Sequence, residues 1–451
     1  MNRWLAARRR AIVTIGATMV VGEFTQDADV VVIGAGPAGH ACACRAAELG
    51  RDVTLVDPRP TLGGDCLHNT CIPTKTLLHA IDAESGEAGK TFDPPAMKAW
   101  LDRVTRRLEG GLAAGAKARG VEVLRGTARF LSPRELQIAG EHISRLRFKR
   151  AVVCCGPHAT PLAGCIRPSD LPDAIDRLTG QVAVLGDSAW AVESASICAA
   201  LGCQTTLFAG GPTPLPHIPQ SLVQALIKAS AWDCGGPEPV EVRARDTGWA
   251  LTQEGAAVPV DLVVDARQGQ LDLSDLDLAA AGVSLDEAGC VQVDSSCTTS
   301  ERRILAAGAC TRATMDAGAA ATQGRVAAEV IAGLPAGWEP AAVPTVVFSN
   351  PQLAWSGEVC QDAAHVEVPW AYSGLAVTMK ASGLTVLHWD PSTGTVLGAG
   401  AVGPCATELA DFCTLAVELG ATIQDLADMA GAHPTRSELF IEAARQALHQ
   451  S

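Results

Sequence analysis

From Asp29 the chain runs Val30-Val31-Val32-Ile33, apolar at every position. This is the pattern of a strand covered on both faces, as in a parallel sheet. A turn, Gly34-Ala35-Gly36-Pro37-Ala38-Gly39, follows it, and a helix is predicted over Ala41–Leu49. A second short apolar run, Val53–Val56, closes on Asp57, 23 residues after Gly34. Strand, glycine turn, helix, strand and terminal acid together make a full dinucleotide-binding fingerprint. Gly34 makes the tight turn, Gly36 admits a pyrophosphate to the helix N-terminus, and Gly39 lets the helix lie close on the strand. Pro37 and Ala38 belong to the same cofactor-binding turn, and Asp57 is placed to accept from the adenosine ribose hydroxyls.

Further along, residues 76–120 read as helical with an interruption at Asp93-Pro94-Pro95, and short strands are predicted between Val121 and Ile138. A second strand–turn–helix unit opens at Val182-Ala183-Val184-Leu185-Gly186-Asp187-Ser188-Ala189-Trp190-Ala191, followed by the strand Thr205-Thr206-Leu207-Phe208. Its turn is damaged as a nucleotide site. Ser188 holds the position of the second glycine, where a Cβ obstructs the pyrophosphate, and the strand ends in Ala209-Gly210-Gly211 without an acid or an arginine cluster. Later elements are a strand over Val260–Val264, a helix over Ala317–Ala332, strands at Leu384–Leu387 and Val396–Pro404, and a helix from Ala406.

Composition narrows the class. With 451 residues, 48% hydrophobic and 19% charged, the chain is long enough for about three globular domains. A net charge of −14 argues against nucleic acid or an anionic membrane as partner. Sixteen cysteines in such a length lack the density of a secreted disulfide scaffold, so most are expected to be reduced and the location cytoplasmic. Arg3 and Arg8-Arg9-Arg10 precede a mildly apolar stretch, Ala11–Gly22, that is too short to span a bilayer and lacks a clear cleavage site. Residues 1–26 are read as a disordered extension, with Met19 as an alternative start, and no membrane insertion is expected.

One cysteine pair looks chosen for chemistry: Gly63-Gly64-Asp65-Cys66-Leu67-His68-Asn69-Thr70-Cys71-Ile72-Pro73-Thr74-Lys75. The pair is poor material for a zinc site, which would require a second ligand pair, and a redox role fits better. Five residues of regular helix rise about 7.5 Å, more than a disulfide spans, so a Cys66–Cys71 bridge requires a distorted first turn. A helix from about Thr74 would put its positive end near Cys71, and Lys75 adds a cation; both favour a thiolate. Cys154 and Cys155 are adjacent and read as core packing rather than a second redox centre.

This stretch resembles the redox-active disulfide of the flavoprotein disulfide reductases, which include dihydrolipoamide dehydrogenase, glutathione reductase and mercuric reductase. Their usual form is Gly-Gly-Thr-Cys-x4-Cys-[Ile/Val]-Pro-Ser-Lys, and related signatures recur from about Val30 to Glu442. The resemblance implies an α/β fold with two Rossmann-like domains, one for FAD and one NAD(P)-like, plus a C-terminal α+β interface domain that forms a homodimer. The implied divisions are 27–150 and 269–338 for the FAD domain, 151–268 for the degenerate NAD(P)-like domain and 339–451 for the interface.

Carried onto this sequence, the resemblance makes Cys66 the interchange thiol and Cys71 the one against the flavin. It pairs Lys75 with Glu193 near the flavin and identifies Ala432-His433-Pro434-Thr435-Arg436-Ser437-Glu438 with the family's His-Pro-Thr-x-Ser-Glu. His433 is then the acid–base catalyst and Glu438 its orienting partner, reaching the active site of the other subunit. A histidine near its reference pKa of about 6.5 suits proton exchange with a thiol near neutrality. Gly63, Gly64 and Gly308 fall at cofactor-binding positions, and Ala309 replaces the aspartate of the second FAD signature. The Gly-Arg-x-Pro-Asn motif is not intact at Asp265-Ala266-Arg267. The expected activity is oxidation of a small or carrier-bound dithiol, with electrons passing through FAD to an acceptor other than NAD(P). The alternatives are a dihydrolipoamide-dehydrogenase-like enzyme using NAD and a non-catalytic redox sensor or scaffold. Mercuric reductase is disfavoured, because no C-terminal cysteine pair or Cys-x-x-Cys domain is present.

Overall fold

The computed structural model describes residues 25–85, 93–140, 144–156, 162–237, 241–245, 248–253, 256–267, 271–311, 316–358 and 362–450. Most of the expected N-terminal extension lies outside these residues. Its last two positions do not fit that expectation, because the first strand, β1, already begins at Thr25 and runs to Ile33, with Thr25 and Gln26 opposite Arg145 and Leu146 of a neighbouring strand.

The first unit follows as α1 (Pro37–Glu48), β2 (Val53–Asp57), α2 (Gly64–His68), α3 (Cys71–Ser85) and α4 (Pro94–Ala118). It continues with β3 (Glu122–Arg125), β4 (Thr127–Ser132), β5 (Glu135–Ala139) and β6 (Ser144–Val153). Pro37 opens α1, where a missing N–H costs nothing. Asp93 caps α4, its carboxylate accepting from Ala96 N ahead of the two prolines of the first turn.

The second unit comprises α5 (Leu171–Ala174), β7 (Gln181–Leu185), α6 (Ala189–Ala200), β8 (Gln204–Ala209), α7 (Gln220–Ala229) and β9 (Asp233–Pro237). A small antiparallel sheet of β10 (Glu241–Ala244), β11 (Trp249–Gln253) and β12 (Ala256–Val260) precedes β13 (Leu262–Asp265). The chain then returns to the first sheet through β14 (Ile304–Ala306) and α8 (Ala317–Ala332). The C-terminal unit holds β15 (Thr345–Val347), β16 (Gln352–Gly357), β17 (Ala364–Pro369), α9 (Gly374–Thr378), β18 (Leu384–Trp389), β19 (Val396–Gly403), α10 (Ala410–Glu418), α11 (Ile423–Asp428) and α12 (Glu438–Leu448).

In the first sheet β3, β2, β1 and β6 lie parallel, β1 following β6 from Arg145 to Val153; on its other edge β6 carries β14 at its end and, at its start, β5 and β4 in an antiparallel meander. The second sheet has the order β13-β7-β8-β9, all parallel, and the third has the antiparallel order β15-β16-β19-β18-β17. One core joins α3, α6 and α7 to Val347, Leu353, Trp355, Val386 and Val402 of the third sheet, so the last unit is seated directly on the second. Among the described residues, no helix is long and apolar enough to cross a membrane.

The closest helix contact is between α1 and α8. A Cβ on Gly324 would stand 2.1 Å from Ala38 O, and one on Gly39 would stand 1.8 Å from Gly34 O. Gly110, on the exposed face of α4, meets nothing within 4 Å. The same substitution is therefore expected to act with opposite sign at two helical glycines. In urea unfolding, Gly324→Ala should destabilise the protein by about 1–3 kcal/mol through overpacking. Gly110→Ala should stabilise it by about 0.5–1 kcal/mol.

Candidate active site

Gly63 and Gly64 turn the chain from β2 into α2 at φ +116° and +59°. Gly63 N donates to Ala35 O at 2.9 Å, and a Cβ on Gly64 would come within 2.6 Å of Gly36 Cα. The helix carrying Cys66 is thus set directly on the dinucleotide turn. It then breaks as the spacing of the cysteines requires: α2 ends at His68, the Asn69 and Thr70 amides both donate to Asp65 O, and α3 starts at Cys71. The expected start near Thr74 is one turn too late, because Thr70 O already accepts from both the amide and the hydroxyl of Thr74.

The break brings the Cys66 and Cys71 thiols together, and the bond that Cys66 can offer holds the Cys71 thiol below its usual pKa. Burial opposes the shift, while the Thr70 hydroxyl at 3.5 Å and the Lys75 charge add to it. The same bond, with burial, pushes Cys66 up. Cys71 is the thiolate of the pair and Cys66 the proton donor. Cys154 and Cys155 differ from them: both follow β6, and burial pushes both up, Cys155 to about 12. This leaves them as inert core thiols.

Lys75, one turn into α3, places its ammonium 2.7 Å from each oxygen of Glu193, which projects from α6 at 1% exposure. Glu193 also accepts from Thr74 Oγ1 at 3.3 Å and from Phe348 N at 3.1 Å, and the Lys75 ammonium lies 5.0 Å from the Phe348 ring centre. Thr70, Thr74 and Phe348 were not singled out from the sequence. The two threonines carried a signal within the cysteine motif, whereas nothing local marks Phe348.

The first turn fits a dinucleotide. Gly36, at φ −71° and ψ −171°, would direct a Cβ into space with no protein atom within 4 Å, the cradle that a pyrophosphate needs. Asp57 is more occupied than expected: its carboxylate accepts from Ala35 N at 2.7 Å and Arg59 N at 2.8 Å, with lone pairs left for a ribose. Gly308, at φ +82°, packs against Ala38, and its N–H is held by the buried amide oxygen of Gln323, a contact absent from the sequence reading. Ala309 begins a short turn after it and offers no carboxylate.

The second turn keeps its shape but changes its chemistry. Gly186 has φ +129° beneath Ala266 O, and Ser188 has φ −83° and ψ 170°, close to the values at Gly36. A real Cβ therefore occupies the direction left open in the first turn. An Asp187 carboxylate oxygen lies 3.6 Å from where a Gly210 Cβ would stand, and Ala209, buried at the end of β8, supplies no anchor. At the broken strand-end motif, Arg267 folds back on Asp265 in two bonds of 2.8 and 2.9 Å.

His433 Nδ1 meets Glu438 Oε1 at 2.9 Å, while Glu438 Oε2 accepts from Thr435 N at 2.9 Å. Those two partners hold the Glu438 carboxyl below its usual range, the Thr435 amide first. This orients the ring and leaves Nε2 as the proton acceptor. The ring is 78% exposed, and its bonded partner belongs to its own C-terminal unit rather than to the cysteine helix.

The sequence profile described as pyridine nucleotide-disulphide oxidoreductase matches residues 28–324, and the corresponding dimerisation-domain profile matches residues 343–444. A dihydrolipoyl dehydrogenase of Thermus scotoductus is 34% identical, over 94% of this chain and 97% of that enzyme. One from Vibrio cholerae is 32% identical, over 91% and 94%. Among solved structures, LpdA of Mycobacterium tuberculosis superposes with a TM-score of 0.84 at 22% identity, over 93% of this chain and 99% of that one. The HOCl-induced flavoprotein disulfide reductase RclA of Escherichia coli, as its Cu(II) complex, gives the same score, identity and coverage.

In the reduced protein, pH-difference spectra should show thiolate absorbance that vanishes only when pH falls through the depressed Cys71 value. Cys71→Ser should move that midpoint to the alkaline side of an ordinary thiol, since the remaining Cys66 is half-buried and its burial favours the neutral thiol. A midpoint unchanged by Cys71→Ser would assign the thiolate to Cys66.

Proposed function

The chain belongs to the pyridine nucleotide-disulphide oxidoreductase family, FAD-dependent enzymes acting on sulfur groups, and from that premise we propose that it oxidises a dithiol at Cys66 and Cys71 and passes the electrons to an acceptor other than NAD(P). The break between α2 and α3, with the Cys71 thiol held below its usual pKa and the Cys66 thiol above, carries the dithiol half of this reading. In the oxidised pair, His433 Nε2 removes a proton from a substrate thiol, and the thiolate attacks Cys66 Sγ. The Cys66–Cys71 bond breaks, and Cys71 leaves as a thiolate stabilised by Thr70, Lys75 and the helix terminus. The second substrate thiol releases its proton to solvent and attacks, as a thiolate, the sulfur bonded to Cys66 Sγ, releasing the substrate disulfide, and His433 returns the first proton to Cys66. Bound FAD supplies the two-electron acceptor for the resulting dithiol. Lys75 and Glu193 keep a neutral ion pair behind Cys71, its carboxylate buried and its ammonium partly exposed.

The acceptor is argued from the second turn. Ser188 crowds the pyrophosphate direction, Asp187 adds a negative charge beside it and Ala209 removes the ribose anchor. Losses of about 1–3 kcal/mol at each would lower nicotinamide dinucleotide affinity by several powers of ten if they add. The second reading, a dihydrolipoyl dehydrogenase using NAD, is favoured by the names of the relatives. Rapid mixing separates the two. The oxidised protein should show no fast absorbance change with micromolar NADH or NADPH, and the dithiol-reduced protein none with NAD. Asp187→Ala combined with Ser188→Gly should gain nicotinamide reactivity. A fast micromolar response in the unaltered protein restores the second reading.

The exposed His433 ring and the matched dimerisation domain support a homodimer whose site takes cysteines from one chain and histidine from the other. Mixed Cys66→Ser and His433→Ala proteins, under conditions that exchange subunits, should regain activity, up to about a quarter of the unaltered level if hybrids form at random and each contains one complete site. Absence of recovery in verified hybrids would put both groups in one subunit.

A further inference from the structure

Cys198 and Cys203 repeat the spacing of Cys66 and Cys71 at a different kind of place, the end of α6. In a continuing helix this separation rises about 7.5 Å, beyond the reach of a disulfide. Here the helix stops instead. Gly202, at φ +91°, turns the chain back, its N–H donating to Ala199 O at 2.9 Å, and Cys203 N donates to Cys198 O at 3.1 Å. These two bonds make a Schellman cap, whose geometry sets the side chains of its first and last residues against each other. Residues joined by backbone bonds across a sheet ladder have Cα atoms about 5.5 Å apart, and a cap bond of this kind keeps the pair inside the range of about 4.4–6.8 Å that a disulfide spans.

The same cap closes α1, α4, α8 and α10, where the bond joins pairs such as Ala46 and Arg51 or Glu329 and Leu334. In none of those four are both residues cysteine. Both sulfurs of the α6 pair belong to the core that joins the second unit to the third sheet. Cys198 is fully buried, whereas Cys203 keeps an edge at the surface, 6% exposed between the exposed Gly202 and Gln204. Burial holds both thiols above their ordinary range, and the nearby Cys203 pushes Cys198 further up. An oxidant therefore meets Cys203 first, and reacts slowly at neutral pH.

We propose that Cys198 and Cys203 are a second oxidisable pair, which small hydroperoxides bridge into a disulfide that staples the end of α6 to the start of β8. Cys203 loses its proton to solvent and its thiolate attacks a peroxide oxygen; the O–O bond breaks, the hydroxide that leaves is protonated to water, and a sulfenic acid remains. Cys198 Sγ then attacks Cys203 Sγ, and the hydroxyl departs with the Cys198 proton as a second water. The tryptic peptide Leu178–Lys228 carries these two cysteines and no other, so mass spectrometry reads the pair directly. After the native flavoprotein is treated with hydrogen peroxide, quenched in acid, alkylated under denaturing conditions and digested, this peptide should be unalkylated and two hydrogens lighter than the dithiol. Bridging should quicken as pH rises from about 7 to 9. In Cys198→Ala, Cys203 should instead be trapped by dimedone as the sulfenic acid. In protein carrying Cys66→Ser and Cys71→Ser, which removes the catalytic pair, the bridge should lower the urea unfolding equilibrium constant about 40-fold, the loop-closure value for so short a loop, and dithiothreitol should reverse the effect. A peptide still doubly alkylated once Cys66 and Cys71 have been oxidised, or an unfolding constant indifferent to the bridge, overturns the proposal.

Discussion

A single buried carboxylate ties the three sheets to one another. Glu193 leaves α6 at 1% exposure and is satisfied only if Lys75 and Thr74 of α3 and the Phe348 amide beside β15 arrive together. Taking an ionised carboxylate out of water costs several kcal/mol unless its partners are in place, and removing one partner of such a pair typically costs about 3–5 kcal/mol. The pair is therefore less a source of net stability than a condition on geometry. Because Lys75 lies four residues after Cys71, any displacement of the second or third unit is felt at the reactive sulfur.

That dependence explains what a sequence can and cannot disclose. The first turn was legible because a backbone that must approach a pyrophosphate needs glycine at Gly36, and the break between α2 and α3 was foreseeable from the reach of a disulfide. The Lys75–Glu193 pair came only from the resemblance, since 118 residues separate its members. Phe348 was not legible at all: what it gives Glu193 is a backbone N–H, which every residue but proline possesses. Gln323 escaped notice for a similar reason, a polar residue inside a helix whose role is to hold Gly308 N across a fold. The small sheet β10–β12 was likewise missed, because its short strands are mostly half-exposed and carry little periodic signal.

The two Rossmann-like turns form an internal comparison. Gly36 and Ser188 share nearly the same backbone angles, so the difference between them is one of chemistry rather than of shape. The acid lies at the strand end in the first unit, as Asp57, and on the turn in the second, as Asp187. Such a domain keeps its core and its contribution of Glu193 while its surface chemistry drifts, which separates the reasons for retaining the fold from the reasons for retaining a ligand.

The return of the chain through β14 and α8 has a consequence for biosynthesis. α1 presents Ala38 to Gly324 and Gly308, residues made nearly 300 positions later. The first sheet lacks a strand until the ribosome has passed Ala306, and α1 lacks its partner until it has passed Gly324, so the nascent flavin domain waits half-built while the second unit folds out of its middle. Cofactor capture is thereby deferred until about three-quarters of the polypeptide exists, and a chain truncated before α8 would expose an apolar, glycine-lined groove suited to chaperones rather than to FAD.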